Sequence, residues 1–284
     1  MIDRNAAAQF VAAHARLIDR RRLAHLEGDG SADAVARALD AYRNDDGGLG
    51  ALEPDVRAPS SQPPCVLYAL DVLHEIGARD SALARGALDW LEGVTNEDGG
   101  VPFVLPSAAG WPHAPWFKPA EASGSSLLMT AGIAAGAHRL GLAHPWLERA
   151  SDYCWERLDE ALAGAYTLRS AVDFLDVTPD RGRAGAALDR LAERVPDDGV
   201  VPVPGGAEGE VLRPLDLAPW PEHSARRLFD DAVIERELDR LEREQRDDGG
   251  WTFSWQAWNP AAAWEWRGVV TVHALRTLRA YGRV

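Results

Sequence analysis

The chain has 284 residues, 46% of them apolar and 26% charged, which is enough apolar side chains for a sizeable core and excludes a disordered chain. Its 44 acidic against 30 basic residues leave a formal charge of -14, a field that repels phosphate backbones and anionic lipid surfaces, so nucleic acid is not an expected partner. Cys65 and Cys154 give no disulfide framework. No signal peptide is read at the start, and the longest apolar run, Leu127 to Ala137, holds Thr130 and is too short for a bilayer; a cytoplasmic protein without membrane insertion is expected.

Along the chain, an N-terminal helix is expected from Ala6 to roughly Leu26. A turn then recurs: Asn44-Asp45-Asp46-Gly47-Gly48, Asn96-Glu97-Asp98-Gly99-Gly100, Pro196-Asp197-Asp198-Gly199 and Arg246-Asp247-Asp248-Gly249-Gly250. Its first glycines stand at 47, 99, 199 and 249, separated by 52, 100 and 50 residues, which is a period of about fifty with one degenerate copy, for which Asp159 to Gly164 is the candidate. Gly enters the left-handed region at a helix end without a Cβ clash, and Asp stabilises the turn. Before the last turn, Ile234, Leu238, Leu241 and Gln245 share one face, which predicts an outer helix with one buried stripe. After the turns, Val66 to Ile76, Ser126 to Leu140 and Val269 to Tyr281 are apolar on most sides, which predicts inner helices packed all round. Extended segments are limited to short loop stretches such as Val200 to Val203.

The last repeat carries more than a turn. Arg236, Leu241, Gln245, Gly249 and Trp251 fit the Gln-x-x-x-Gly-x-Trp repeat of squalene and oxidosqualene cyclases, and Arg85, Gly86, Trp90, Leu91 and Gly99 resemble it with Thr95 and Val101 in place of Gln and Trp. Over nearly its whole length the chain resembles the prenyltransferase and squalene-cyclase repeat superfamily. That resemblance implies an all-α fold, an α/α toroid of inner and outer helix rings, as a single domain over residues 1–284, with Gln245 and Trp251 tying helix ends to turns.

The catalytic signatures of that superfamily are incomplete here. The cyclase Asp-x-Asp-Asp motif is absent: Leu228-Phe229-Asp230-Asp231 has Leu where the first Asp belongs, and Asp230 and Asp231 read as acids at the start of an outer helix. Asp152-Tyr153-Cys154 has the spacing of the prenyltransferase zinc pair, with His223 or His273 as a third ligand, but it falls within an outer helix, so Cys154 reads as a small buried residue and no metal is assigned. Cys65 has Pro63 where an acidic partner would stand, and no Asp-Asp-x-x-Asp magnesium motif is present, so no cofactor is expected.

In such a toroid the loops ahead of the inner helices gather at one mouth. Here they hold Phe103, Trp111, Trp116, Phe117, Trp220, Trp251, Phe253, Trp255, Trp258, Trp264 and Trp266, most of the chain's tryptophans. Such rings pack isoprenoid chains and stabilise cations, or else plug the mouth as ordinary core. Polar groups are interleaved: Glu53, Asp55, Arg57, Gln62, His113, Lys118, Glu121, Arg169, Asp173, Asp216, Glu222, His223, Glu265 and Arg267. Glu265, Asp173 and His223 are the candidate catalytic groups. Trp111, Trp116, Phe117, Trp220, Trp255, Trp258, Trp264 and Trp266, with Arg57, Arg169 and Arg267, are the candidate substrate contacts. Glu265, between two tryptophans, would protonate an alkene or epoxide if apolar neighbours keep it neutral; its alternative is a surface residue or an ion pair with Arg267. Three readings of function follow. The first is an isoprenoid-handling, cyclase-like enzyme acting on a small hydrophobic substrate. The others are a non-catalytic protein binding a hydrophobic ligand or a peptide, and a carbohydrate-active enzyme with paired carboxylates.

Overall fold

The recurring turn has one geometry each time it appears in full. In the first copy the Asn44 N–H donates to the Gly48 carbonyl, the Gly47 N–H returns to the Asn44 carbonyl, and Asp46 Oδ1 accepts the Gly48 N–H. The copies at 96–100 and 246–250 repeat all three bonds. Closing so tight a loop puts the first glycine at φ +89° in Gly47, +86° in Gly99 and +88° in Gly249, where a side chain would clash.

The computed structural model describes residues 2–79, 81–120 and 123–284. In chain order the helices are α1 (Arg4–His14), α2 (Leu17–Glu27), α3 (Ala32–Asp40), α4 (Pro63–Glu75), α5 (Ala82–Glu92), α6 (Leu127–Arg139), α7 (Pro145–Glu156), α8 (Ala165–Val177), α9 (Arg181–Ala192), the short α10 (Pro214–Leu217), α11 (Asp231–Arg243) and α12 (Pro260–Ala280). A two-stranded ribbon pairs β1 (Val201–Pro202) with β2 (Val211–Leu212). The chain divides into two compact units, one of Ala32–Ala184 and the other of Met1–Ser31 with Gly185–Val284.

In the unit Ala32–Ala184, α4, α6 and α8 run parallel. Gly132 faces Leu67, and one turn on Gly136 faces Leu70; a Cβ at these glycines would stand 3.0 Å and 2.8 Å from those side chains. Glycine at these two positions is what lets α4 and α6 approach so closely. On its other flank α6 meets α8, with Gly132 near Ser170 and Arg139 bonded to Asp173. The outer helices α5 and α7 dock on the turns. The first glycine lies over a backbone carbonyl of the helix, Gly47 over Gly86 and Gly99 over Arg149. The second lies against an aromatic ring four residues further along that helix, Gly48 on Trp90 and Gly100 on Tyr153.

The other unit applies the same rule with α1. Gly249 lies over the Ala6 carbonyl and Gly250 against Phe10, again four residues on. Gln245 completes the join: its side-chain amide accepts the Asp3 N–H at 2.7 Å and donates to the Asp3 carbonyl at 2.7 Å and to Gly249 at 3.0 Å. Trp251 is buried, its indole N–H on the Leu241 carbonyl at 2.8 Å. Gln245 and Trp251 thus fasten helix ends, as the resemblance implied.

Several elements differ from the sequence expectation. The N-terminal stretch is two helices, broken at Ala15 and Arg16, whose backbones are extended. The break is fixed by packing: Gly268 of α12 lies against Ala15, and Asp19, fully buried, accepts from Arg16 Nε at 2.8 Å and Arg22 Nη1 at 2.9 Å. The last inner helix begins at Pro260, nine residues before Val269, because Asn259 caps it by accepting the Ala262 N–H and Pro260 suits the first turn. The degenerate turn is a short 3-10 segment, Leu158–Ala163, with Leu158 and Ala161 buried. Asp230 stands at the N-cap of α11 without a side-chain cap bond, while Asp231 pairs with Arg226. Cys154 is fully buried in α7, and burial pushes its thiol pKa well up, so it stays protonated as a small core residue.

His138, near the end of α6, bonds Ser151 of α7 at 3.0 Å, and burial lowers its pKa from 6.5. The unfolded chain therefore takes up this proton at a higher pH than the native state. Stability from this group is complete above pH 6.5 and is lost as pH falls toward the lowered native value, by at most about 1.4 kcal/mol per pH unit. Melting temperatures across pH 8 to about 5 should fall less steeply in His138→Gln than in the parent, since the variant lacks this one titration.

Candidate functional site

Because α4, α6 and α8 are parallel, the loops entering them lie at one end of their unit. Gln62, fully buried ahead of α4, ties two of these loops together: its carbonyl accepts the Leu105 N–H at 2.9 Å and its amide donates to Ser107 Oγ at 2.8 Å. The Arg57 N–H donates to the Pro112 carbonyl at 3.0 Å, and the Ala114 N–H to the Asp55 carbonyl at 2.8 Å. Phe117 is buried and stacks on Phe103, with centroids 4.7 Å apart, so it is core of the loop. Trp111 and Trp116 point outward, 48% and 40% exposed. Arg57 is half-buried. Glu121 lies outside the described residues.

Sequence reasoning placed Glu53 and Asp55 among rim polar groups; both are buried, and Glu53 Oε2 accepts the Asp55 N–H at 2.6 Å. Nothing in the local string Leu52-Glu53-Pro54-Asp55 signals this, since the cover comes from residues distant in sequence.

Tyr166, Arg169 and Asp173 lie on one stripe of α8, with Arg169 exposed. Asp173 is not an available acid. Its Oδ1 accepts from Arg139 Nη2 at 2.6 Å, and Asp176 stands 3.9 Å from the same nitrogen. Despite burial, these carboxylates and Asp71 raise the Arg139 pKa. A carboxylate receiving a guanidinium N–H is an acceptor, and Asp173 reads as the anchor of a charged helix contact.

In the other unit the aromatic residues form clusters around the start of α12. Trp255 stacks on Phe253 at 4.5 Å and meets Trp266 edge-on at 5.2 Å. Trp264, 43% exposed, stacks on His14 at 4.5 Å. Arg267 donates to both oxygens of Asp248, each at 2.7 Å, and its guanidinium lies 4.4 Å over the Phe10 ring. Asp248 also accepts the Gly250 N–H, and the Arg267 bonds head the causes that lower its pKa. Arg267 is thus committed to the turn that docks α1. Glu265 is half-buried with Oε2 shut off from solvent. Trp258 is half-buried, and its indole N–H has no hydrogen-bond partner among the described residues. His223 is buried. Its Nδ1 accepts the Ala225 N–H at 3.2 Å, and Trp220 packs edge-on against it at 5.2 Å, with Arg276 over the Trp220 ring. With Nδ1 accepting, the neutral ring carries its proton on Nε2.

No family model matches the chain, and no curated protein matches it. Among solved structures it is similar to a protein from Actinoplanes, at TM-score 0.59 and 19% identity, covering 99% of this chain and all of that one. It is also similar to the type II terpene cyclase MstE from Scytonema. A variant in complex with geranylgeranyl dihydroxybenzoate, its substrate, gives TM-score 0.53 and 14% identity over 98% of this chain and 87% of that one; the apo enzyme gives 0.51 and 14% over 96% and 86%. At these identities the likeness shows the fold alone: the fold is all-α, an α/α toroid like that of these structures. No described helix is long and apolar enough to cross a membrane.

Proposed function

We propose that this chain is an isoprenoid-handling protein that takes a hydrophobic, prenyl-type ligand against its tryptophan-rich surfaces as a single-domain relative of the terpenoid cyclases. The observation that carries the reading is the ring cluster of Phe253, Trp255 and Trp266 at the start of α12, in a fold like that of an enzyme solved with a geranylgeranyl substrate. Flat aromatic faces pack isoprene units and stabilise carbocations formed from them. Of the three candidate catalytic groups, Asp173 is taken by Arg139 and His223 by its turn, so the proton donor of this reading is Glu265, the partly enclosed carboxyl between Trp264 and Trp266.

The commitment of Asp173 and His223 to structural bonds also favours a second reading, a binder without chemistry. One experiment separates them. The parent, Trp255→Ala/Trp266→Ala and Glu265→Gln are titrated with geranylgeraniol by tryptophan fluorescence, then incubated with geranylgeranyl-bearing arenes and analysed by gas chromatography and mass spectrometry. The ring variant should bind at least about tenfold more weakly, since burying two large rings' contact area is worth more than 1.4 kcal/mol. Cyclised product from the parent and none from Glu265→Gln supports the enzyme. Equal binding without product from either supports the binder, and no binding by the parent sinks both.

A further inference from the structure

Asp3, Ser81, Ser126 and Asn259 cap their helices with side-chain oxygens. α7 is capped instead by His144, a residue type whose ordinary titration falls between pH 5 and 8. Its Nδ1 accepts the Trp146 N–H at 3.1 Å, and its Nε2 stands 3.1 Å from Asp89 Oδ1 on α5. With Nδ1 accepting, the ring is neutral and carries its proton on Nε2, which donates to Asp89.

A proton taken up by this ring goes to Nδ1, the nitrogen that holds the cap. Two N–H groups then face each other, and the Trp146 amide loses its acceptor. Another acceptor for the ring is close by. Glu92 Oε1, three residues after Asp89 on α5, lies 3.9 Å from the same nitrogen; it is shut off from solvent and has no hydrogen-bond partner among the described residues. Glu92 Oε2 accepts from Arg149 Nη2 at 2.8 Å, which holds the carboxylate in place. The charged groups around the ring are Asp89 and Glu92 of α5 and, behind Glu92, Arg149 of α7. Among the described residues no other element brings the ring an ion-pair partner.

We propose that His144 is a proton-operated latch between α5 and α7: neutral, it caps α7 through Trp146, and protonated, it releases that amide and pairs with Glu92. The exchange needs a ring displacement of only about 1 Å, the difference between 3.9 Å and a charge-assisted bond of about 2.8 Å. The latch sits where the second turn is seated. The Trp146 indole is fully buried and donates to Thr95 Oγ1 at 2.8 Å, one residue before that turn begins. Further along α7, the glycines of the turn lie on Arg149 and Tyr153. Acidification therefore loosens the first turn of α7 while drawing it toward α5, at the joint that carries the loop entering α6. None of this depends on what the protein binds.

The test is NMR of the full chain between pH 8 and 5, reading the ring nitrogens of His144 and the exchange protection of the Trp146 amide, corrected for the intrinsic pH dependence of exchange. At pH 8 the ring should be neutral with its proton on Nε2 and the amide protected. At pH 5 both ring nitrogens should carry protons, and protection of Trp146 should fall about fivefold or more, the worth of one cap bond. The Ala262 amide, held by the Asn259 cap, should show no such change. His144→Asn keeps a cap acceptor that takes no proton, so its Trp146 protection should be the same at both ends of the range. Glu92→Gln should move the loss of protection to lower pH, because the charged ring then lacks its second seat. A ring with its proton on Nδ1 at pH 8, or Trp146 protection that the parent keeps at pH 5, overturns the proposal, and so does a loss that His144→Asn shares. A loss at the parent's own pH in Glu92→Gln overturns the pairing with Glu92. The ring nitrogens decide the matter on the parent alone should a variant fail to fold.

Discussion

Gly249→Ala should be the most damaging single-methyl change in the unit that holds α1, lowering unfolding free energy by about 2–5 kcal/mol. Two costs add. The residue sits at φ +88°, where an L side chain costs roughly 1–2 kcal/mol, and its Cβ would lie 2.2 Å from the Ala6 carbonyl oxygen and 2.3 Å from the carbonyl carbon. Those are backbone atoms of α1, so relief requires the helix to move, an overpacking penalty of roughly 1–3 kcal/mol. Gly28→Ala separates the terms, because Gly28 has φ +86° with nothing within 4 Å of the added methyl. Urea unfolding of the two variants should differ by the clash alone. Equal midpoints would mean that α1 is not seated on the turn, and the shared docking rule of Gly47, Gly99 and Gly249 would fail with it.

Arg139→Met is expected to cost about 2–4 kcal/mol, because it keeps the apolar stem of the side chain while leaving Asp173, Asp176 and Asp71 facing one another without their cation. The figure is set below that for a fully buried pair because Asp173 retains 22% side-chain exposure. Asp173→Asn should lose part of this stability. It should leave ligand binding and any turnover unchanged, which is the outcome that distinguishes an anchor from a catalytic acid. A stable Asp173→Asn protein with turnover abolished would restore Asp173 to the chemistry and demote Glu265. Double substitution should then be less than additive, since both residues contribute to one contact.

The site was legible in composition more than in geometry. That tryptophan crowds the segments entering the inner helices is visible in the string. That Phe117 is core while Trp116 beside it faces water is not, because it depends on Phe103 arriving as a stacking partner. Arg267 shows the same limit. Its nearest carboxyl in sequence is Glu265, yet it forks onto Asp248, nineteen positions away, because the turn brings that carboxylate to the side of α12.

By itself the sequence determined the period, the helix-turn alternation and the residues at each turn, because these are local: a tight reversal needs a left-handed residue and a side-chain acceptor two positions before the amide it holds. It also marked Gln245 and Trp251 as fasteners. Tertiary structure decided what each polar group is paired with, where the first helix breaks, and which acids remain candidates. Asp19, Glu53 and Asp55 are buried, Asp19 on two guanidinium groups of its own stretch of chain, and Asp173 accepts from Arg139 of a neighbouring helix; a carboxylate is held inside only where such donors converge. Burial of a charge is thus a property of the assembled fold, while the turn that allows assembly is a property of a few consecutive residues.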